Sequence, residues 1–270
     1  MYQVFTPKSE ILKKHIYNYC VLKPFDGPVN YLAFPQLGTS MALYSHSKLK
    51  IEDNCISVSK AIEPNHQILI LGKYKLPLQL EYSEYSPEIS INFTPTGLNY
   101  FFKENIGVMA NAITQFLNDE KWVTLANQML EEKSSCQKID ILEHFLLENR
   151  IDKDLSLVEN YISISNKYPE HHIAQIANEL NVSSKTINRW FSNCVGCSPS
   201  KFKKIVRFRK AIETKFNDSS QNLTQICFEN NFYDSPHFSR EFKKLTRMSP
   251  REFFTDIEDV SKKNIPYKFL

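Results

Sequence analysis

The sequence predicts an α+β chain with three parts: a β-rich N-terminal domain of barrel or sandwich form with flanking helices, a helical linker, and an all-α C-terminal part. Three observations carry this. One pattern is written twice between Ile173 and Phe254. Short apolar or alternating runs, punctuated by Pro, Gly, Asn and Asp, fill the chain before residue 118. Charge is uneven: residues 1–170 have 16 Lys and Arg against 20 Asp and Glu, residues 171–254 have 14 against 7, and residues 255–270 have 3 against 3. A chain of net charge +3 with one basic part suits a polyanionic partner for that part alone. A length of 270 residues suits two domains, and 42% hydrophobic residues supply a sizeable core. The expected division is 1–118 for the β-rich domain, 119–168 for the linker, 169–256 for the duplicated part and 257–270 for a tail.

In the first part, Lys8 to Val21 reads as a helix with Ile11, Leu12, Ile16, Tyr19 and Cys20 on one side. Strands are expected at Val29–Phe34, Ser40–Tyr44, Lys48–Ile51, Cys55–Lys60, Gln67–Gly72, Leu76–Tyr82 and Glu88–Phe93. Seven short segments between turn residues suit an antiparallel barrel or sandwich. In "ISINFTPTGLNYFF" a strand ends and a helix opens at Thr96 or Gly97. Aromatic residues are dense here, among them Tyr31, Phe34, Tyr44, Tyr74, Tyr82, Phe93 and Phe101. They either fill the core or line an apolar pocket for a small-molecule effector.

Several classes are disfavoured. His15, His46 and His66 stand far apart, without the His-x-His pair of a metal-binding barrel. No G-x-G-x-x-G, P-loop or G-x-S-x-G is present. Neither a catalytic residue, a cofactor nor a metal is therefore expected, and an enzyme is not. Six cysteines are scattered, and Cys194 and Cys197 form a lone C-x-x-C without a second pair, so they read as structural thiols. No signal peptide or run of about twenty apolar residues is visible. The expected location is the cytoplasm, with no membrane partner.

Between the halves, Glu120 to Lys167 reads as helices broken at "EEKSSCQK". Trp122, Leu125, Met129 and Leu130 form one stripe. Ile139, Leu142, Phe145 and Leu146 form the next, and Leu155, Val158 and Ile162 follow. These stripes pack within the chain or in a homodimer. "SNKYPEHH" (Ser165–His172) is the expected hinge, since Pro169 disfavours helix before it.

The duplicated unit is legible from its spacing. Ile173, Ile176, Ala177 and Leu180 sit at i, i+3, i+4 and i+7, one face of a short helix. They recur fifty positions on as Leu223, Ile226, Cys227 and Asn230. Asn181 and Asn231 tolerate the left-handed backbone that ends a helix. An apolar plug follows (Val182, Phe232), then a helix cap (Ser183, Asp234). The second helix buries Ile187 with Phe191, or Phe238 with Phe242. Helix, tight turn, helix with these plugs is a helix-turn-helix, whose second helix can enter a DNA major groove. Its outward face shows Lys185, Asn188 and Arg189 in one copy, and Ser235, His237 and Arg240 in the other. Arg can bond bidentately to guanine and Asn to adenine. Capped by Ser198 with Pro199 in its first turn, a long helix of residues 199–216 joins the units 173–195 and 223–246. Ser183, Ser184, Lys201, Lys204, Lys243 and Lys244 are the expected phosphate contacts.

Two stretches, "IAQIANELNVSSKTINRWFSNCVGCSPSKF" and "LTQICFENNFYDSPHFSREFKKLTRMSPREFF", resemble the AraC family of bacterial transcription regulators. The resemblance covers about Ile173 to Phe254. It implies two helix-turn-helix units on successive major grooves, with base contact at Lys185, Asn188, Arg189, Ser235, His237 and Arg240. RNA polymerase would be a further partner of an activator. The family usually has Gly where Asn181 and Asn231 stand, Ala at Cys227, and often Gly at Arg247. The early "FTP", "YLAFPQLG" and "INFTPTGL" resemble, more loosely, the sensor-type domain of one branch of that family. The expected function is a sequence-specific regulator bound to double-stranded DNA. The competing reading is a protein-interaction module whose helix-turn-helix pair no longer reads bases.

Overall fold

In the computed structural model, which describes residues 2–62, 65–72, 76–104, 107, 114–131, 134–259 and 266–270, alternation along single strands organises the N-terminal half. One sheet contains β1 (Tyr2–Phe5), β2 (Ile16–Leu22), β4 (Ser40–Ser45), β7 (His66–Leu71), β9 (Glu88–Phe93) and β10 (Thr114–Phe116), ordered β1-β2-β9-β4-β7-β10. The other contains β3 (Val29–Ala33), β5 (Ser47–Glu52), β6 (Cys55–Lys60), β8 (Leu78–Tyr82), β11 (Glu258–Asp259) and β12 (Pro266–Phe269), ordered β11-β12-β3-β8-β6-β5. Neighbours run antiparallel except β6 beside β8. Successive side chains of a strand face opposite ways. In the first sheet Tyr19, Met41, Leu43, Ile68, Ile70 and Ile91 join one core, while Cys20, Leu22, Ala42, Tyr44 and Leu69 join another. The second core is shared with Tyr31, Ile56, Val58, Leu80 and Tyr82 of the other sheet. Both faces of the first sheet are thus covered, which is why Gln67–Leu71 is a nearly continuous apolar run.

The other covering layer is helical: α2 (Glu120–Glu131), α3 (Ser135–Glu148) and α4 (Ser156–Lys167). Trp122, Leu125 and Met129 of α2, Ile139, Leu142 and Leu146 of α3, and Val158 of α4 are buried in the same core as Tyr19 and Ile91. Trp122 stacks on Phe102 at 5.6 Å and meets Phe145 edge-on at 4.9 Å. The linker stripes therefore pack within the chain; the Leu130 side chain and Tyr74 lie outside the described parts. Phe93 and Phe101 are buried in the core under the helices, Phe34 in a core with the C-terminal half, and Tyr31, Tyr44 and Tyr82 in the core between the sheets. Among them sits a buried carboxylate, Glu88, which accepts hydrogen bonds from Tyr2, Tyr82 and Ser90. Burial pushes its carboxyl above the usual range.

Two expectations are corrected. The helix read over Lys8–Val21 is only one turn, α1 (Glu10–Lys13), capped by the Ser9 side chain on Ile11 N. Ile16–Leu22 is instead β2, paired with β1 and β9. Its β-branched and aromatic residues fit a sheet with two buried faces, a pairing that helical spacing cannot register. Within the tail expected at 257–270, Tyr267, Lys268 and Phe269 pair with Ala33, Leu32 and Tyr31 of β3. The opening expected at Thr96 or Gly97 is a 3₁₀ turn, Gly97–Tyr100. Among the described residues no helix is long and apolar enough to cross a membrane.

The C-terminal half comprises α5 (Ile173–Glu179), α6 (Ser184–Val195), α7 (Pro199–Asn217), α8 (Leu223–Glu229), α9 (Ser235–Thr246) and α10 (Pro250–Asp256). The hinge expected at Ser165–His172 holds the end of α4 and His172, the N-cap of α5. Lys167 ends α4, and Tyr168 caps it through its backbone N–H on Ile164 O.

Candidate nucleic-acid interface

Each helix-turn-helix is built by the same local devices. In the first unit Ile176 and Ala177 of α5 are buried, and Asn181 takes a left-handed φ of 55°. Val182 N then reaches back to Ala177 O at 2.9 Å, closing the turn. Ser183 caps α6, its Oγ accepting from Thr186 N at 3.1 Å. In the second unit Ile226 and Cys227 of α8 are buried, Asn231 takes φ 57°, and Phe232 N reaches Cys227 O at 3.1 Å. Asp234 caps α9 through His237 N at 2.6 Å. Gln175 and Gln225 each accept from the backbone N–H three residues before them, His172 and Asn222, at 2.7 and 2.9 Å.

The inner face of each second helix is pinned. Ile187 and Phe191 of α6 are buried, with Phe191 edge-on to Tyr161 and Phe202 at 5.3 and 5.2 Å. Phe238 and Phe242 of α9 are buried, and Phe242 meets Phe208 and Phe253 at 5.0 and 5.5 Å. Gly196 (φ 74°) ends α6 and Arg247 (φ 63°) ends α9. Helix α7 serves both cores: Phe202 belongs to the first, and Phe208, Ala211 and Ile212 to the second. Its Ser198 cap accepts from Lys201 N at 3.2 Å. Nineteen residues span about 28 Å at about 1.5 Å per residue, on the scale of the roughly 34 Å between successive major grooves.

With the inner faces fixed, the outer faces follow. Lys185, Asn188, Arg189, Ser235 and Arg240 are exposed, and His237 is half-buried. The Asn188 side-chain amide donates to Ser184 O at 2.9 Å, so one of its donors is turned to its own helix. His237 Nδ1 accepts from Tyr233 N at 3.4 Å; its other ring nitrogen is then the donor of the neutral imidazole. Ser183, Lys243 and Lys244 are exposed; Ser184, Lys201 and Lys204 are half-buried. Lys204 and Lys244 converge on Glu241, 3.4 and 3.6 Å from one oxygen of its nearly buried carboxylate. They have a structural duty that the spacing of lysines did not reveal. The signal lay in Glu241 itself, at the buried phase beside Phe238 and Phe242, where a carboxylate needs cations.

Helix α6 is also seated on the β-rich half. The Asn99 side chain donates to Cys194 O at 2.8 Å, both buried. A Cβ on Gly107 would meet Ser192 O at 2.4 Å, so only glycine permits this approach. Arg189 borders the open cleft at that seam, which Glu104 and Asp154 also line. Cys194 and Cys197 are buried, and burial pushes the Cys194 thiol up. Among the described residues no group of three or more His, Cys, Asp or Glu is placed to hold a metal.

The chain matches a family described as a helix-turn-helix domain over residues 176–256. It is 32% identical over 89 residues to the HTH-type transcriptional activator RhaS of Klebsiella pneumoniae (strain 342), a match covering 31% of this chain and 32% of that protein. The match thus spans about a third of that curated relative's length. Among solved structures it is similar to ToxT from Vibrio cholerae O395, with TM-score 0.46 and 15% identity over 90% of this chain and 98% of that one. It is also similar to unsaturated fatty acid bound wild-type ToxT from Vibrio cholerae strain SCE256, with TM-score 0.47 and 13% identity over 90% and 97%. Residues 176–256, the duplicated C-terminal part, thus form a helix-turn-helix domain of the AraC type.

Proposed function

We propose that the protein is a sequence-specific DNA-binding transcription regulator that reads two successive major grooves of one duplex. Lys185, Asn188 and Arg189 of α6 meet bases in one groove, and Ser235, His237 and Arg240 of α9 meet them in the next. One observation supports this above the rest. Two exposed arginines, Arg189 and Arg240, stand at matching positions of the duplicated helices, opposite the buried pairs Ile187 with Phe191 and Phe238 with Phe242. Ser183, Ser184, Lys201, Lys204, Lys243 and Lys244 supply backbone contacts. The N-terminal half would tune this activity through a small molecule. A small cavity between the first sheet and α2, lined by Leu43, Ile89, Ala126 and Met129 with Glu88 and Lys138, is where such an effector would act. In an activator the same chain would engage RNA polymerase, and a homodimer would occupy paired sites.

The test is binding of the full chain to DNA upstream of its own gene, beside random DNA. Arg189→Ala and Arg240→Ala should each remove about 1–3 kcal/mol of specific affinity while leaving stability intact. Equal loss on both DNAs would refute base readout and leave the fold as an interaction module.

A further inference from the structure

The space between the two helix-turn-helix units is a cleft with a basic floor. Lys203 and Arg207, one helical turn apart on α7, line it; Asn188 of α6 forms one wall and His237 of α9 another. The floor's charges are only partly compensated. Lys203 Nζ donates to His171 O at 2.7 Å. Its pKa is lowered first by burial, then by the charge of Arg207, with Glu170 opposing. Arg207 lies over the Phe232 ring at 5.3 Å. Its Nε is buried and has no hydrogen-bond partner among the described residues. A buried N–H without an acceptor costs free energy until something supplies one. A guanidinium beside an ammonium, both half-buried, is a site for an oxyanion, and the planar fork of arginine suits phosphate.

What could bring that anion follows from the walls. A duplex that touches both Asn188 and His237 must cross the space between them. There it presents its sugar–phosphate backbone, between one major groove and the next. We propose that Lys203 and Arg207 form a phosphate clamp on the stretch of DNA backbone between the two recognition helices. The clamp rests on the DNA-reading function above. It adds affinity without reading sequence, and it ties the spacing of the two units to the duplex through the helix that joins them.

The test uses the full chain and measures affinity against salt for the upstream duplex and a random one. Lys203→Gln and Arg207→Gln should each lower the slope of log K against log salt by about one, equally on both duplexes. Arg207→Lys, which keeps the charge, should hold the slope. So should Lys50→Gln on β5. Neutral methylphosphonates at the centre of the duplex should lower the wild-type slope and leave that of Lys203→Gln unchanged. Circular dichroism checks that each variant is folded; Lys203→Gln carries the test if losing the Arg207–Phe232 contact disturbs α7. Unchanged slopes for Lys203→Gln and for the methylphosphonate duplex would overturn the clamp. If Arg189→Ala and Arg240→Ala still lose specificity then, the regulator stands without it. If the wild type binds neither duplex at low salt, but inorganic phosphate raises its melting temperature and not that of Lys203→Gln, the cleft serves a free anion and the clamp is likewise overturned.

Discussion

The two helix-turn-helix units share a pattern and differ in what surrounds them. Ile187, Phe191, Cys194 and Phe202 of the first belong to one continuous core with Tyr161, Trp122, Leu142 and Ile91 of the linker and the first sheet. The second unit packs its own core around Phe208, Phe238, Phe242 and Phe253, which takes in Phe34 from the end of β3. A strand is tied to it as well: β12 pairs with β3, and its Lys268 meets Asp256 of α10 at 2.8 Å. The difference teaches that duplication copies local devices and not embedding. The first recognition helix is built into the N-terminal half. The second is held by α7 and by the return of the chain to the sheet.

The largest expected effects would break this comparison. Phe191→Ala and Phe242→Ala should each cost about 3–5 kcal/mol. The first should lower protection from hydrogen exchange through α2–α4 and the first sheet as well as α6, and the second mainly in α7–α10. If both variants loosened the same segments, the two cores would be one cooperative unit. Next is the seam. Asn99→Ala removes the buried bond to Cys194 O and should cost about 1–3 kcal/mol, read as faster exchange at the end of α6 with α9 unchanged. Smaller still is the helix end. Gly196 and Arg247 hold the same left-handed backbone, which costs an ordinary residue roughly 1–2 kcal/mol. Arg247→Gly should therefore raise the melting temperature modestly, and a fall would mean that the Arg247 side chain stabilises the turn.

The smallest effect is one of pH. His15 is buried against Tyr100, with ring centroids 4.0 Å apart. Burial, then the charge of Arg150, lowers its pKa. A histidine whose folded pKa is depressed contributes stability that is present above its unfolded value, about 6.5, and is lost as pH falls through the folded value. Tyr100 donates to Glu159 of α4 at 2.9 Å, so this junction lies on the side of the first unit. Mild acid should weaken the N-terminal half and the first unit together, and His15→Gln should flatten that dependence. An unaltered dependence in His15→Gln would assign it to other groups.

Much of the C-terminal half is legible in the sequence because its determinants are local. The i, i+3, i+4 spacing, the helix caps and the asparagines that turn left-handed all act within a few residues, and they are repeated. The strands from Val29 to Phe93 are legible for a similar reason: turn residues bound runs of β-branched and aromatic side chains. Ile16–Leu22 was not, because its apolar residues also satisfy a helical spacing and only its pairing with β9 decides the matter. "IYNYCVL" held the signal, rich in aromatic and β-branched residues. The alternating segment "PYKF" held a similar one, but nothing near it in sequence says that β3 offers an open edge.

The basic outer faces follow the same division. The sequence by itself determined which residues of α6 and α9 face outward, because periodicity places Ile187, Phe191, Phe238 and Phe242 inward. Only the tertiary structure decided which cations cooperate. Lys204 and Lys244 meet over Glu241 from different helices, and Lys203 and Arg207 become the floor of a cleft because two units pack on opposite ends of α7. Charges act through space over distances that chain order does not encode, whereas caps, turns and helical faces act through the backbone that carries them.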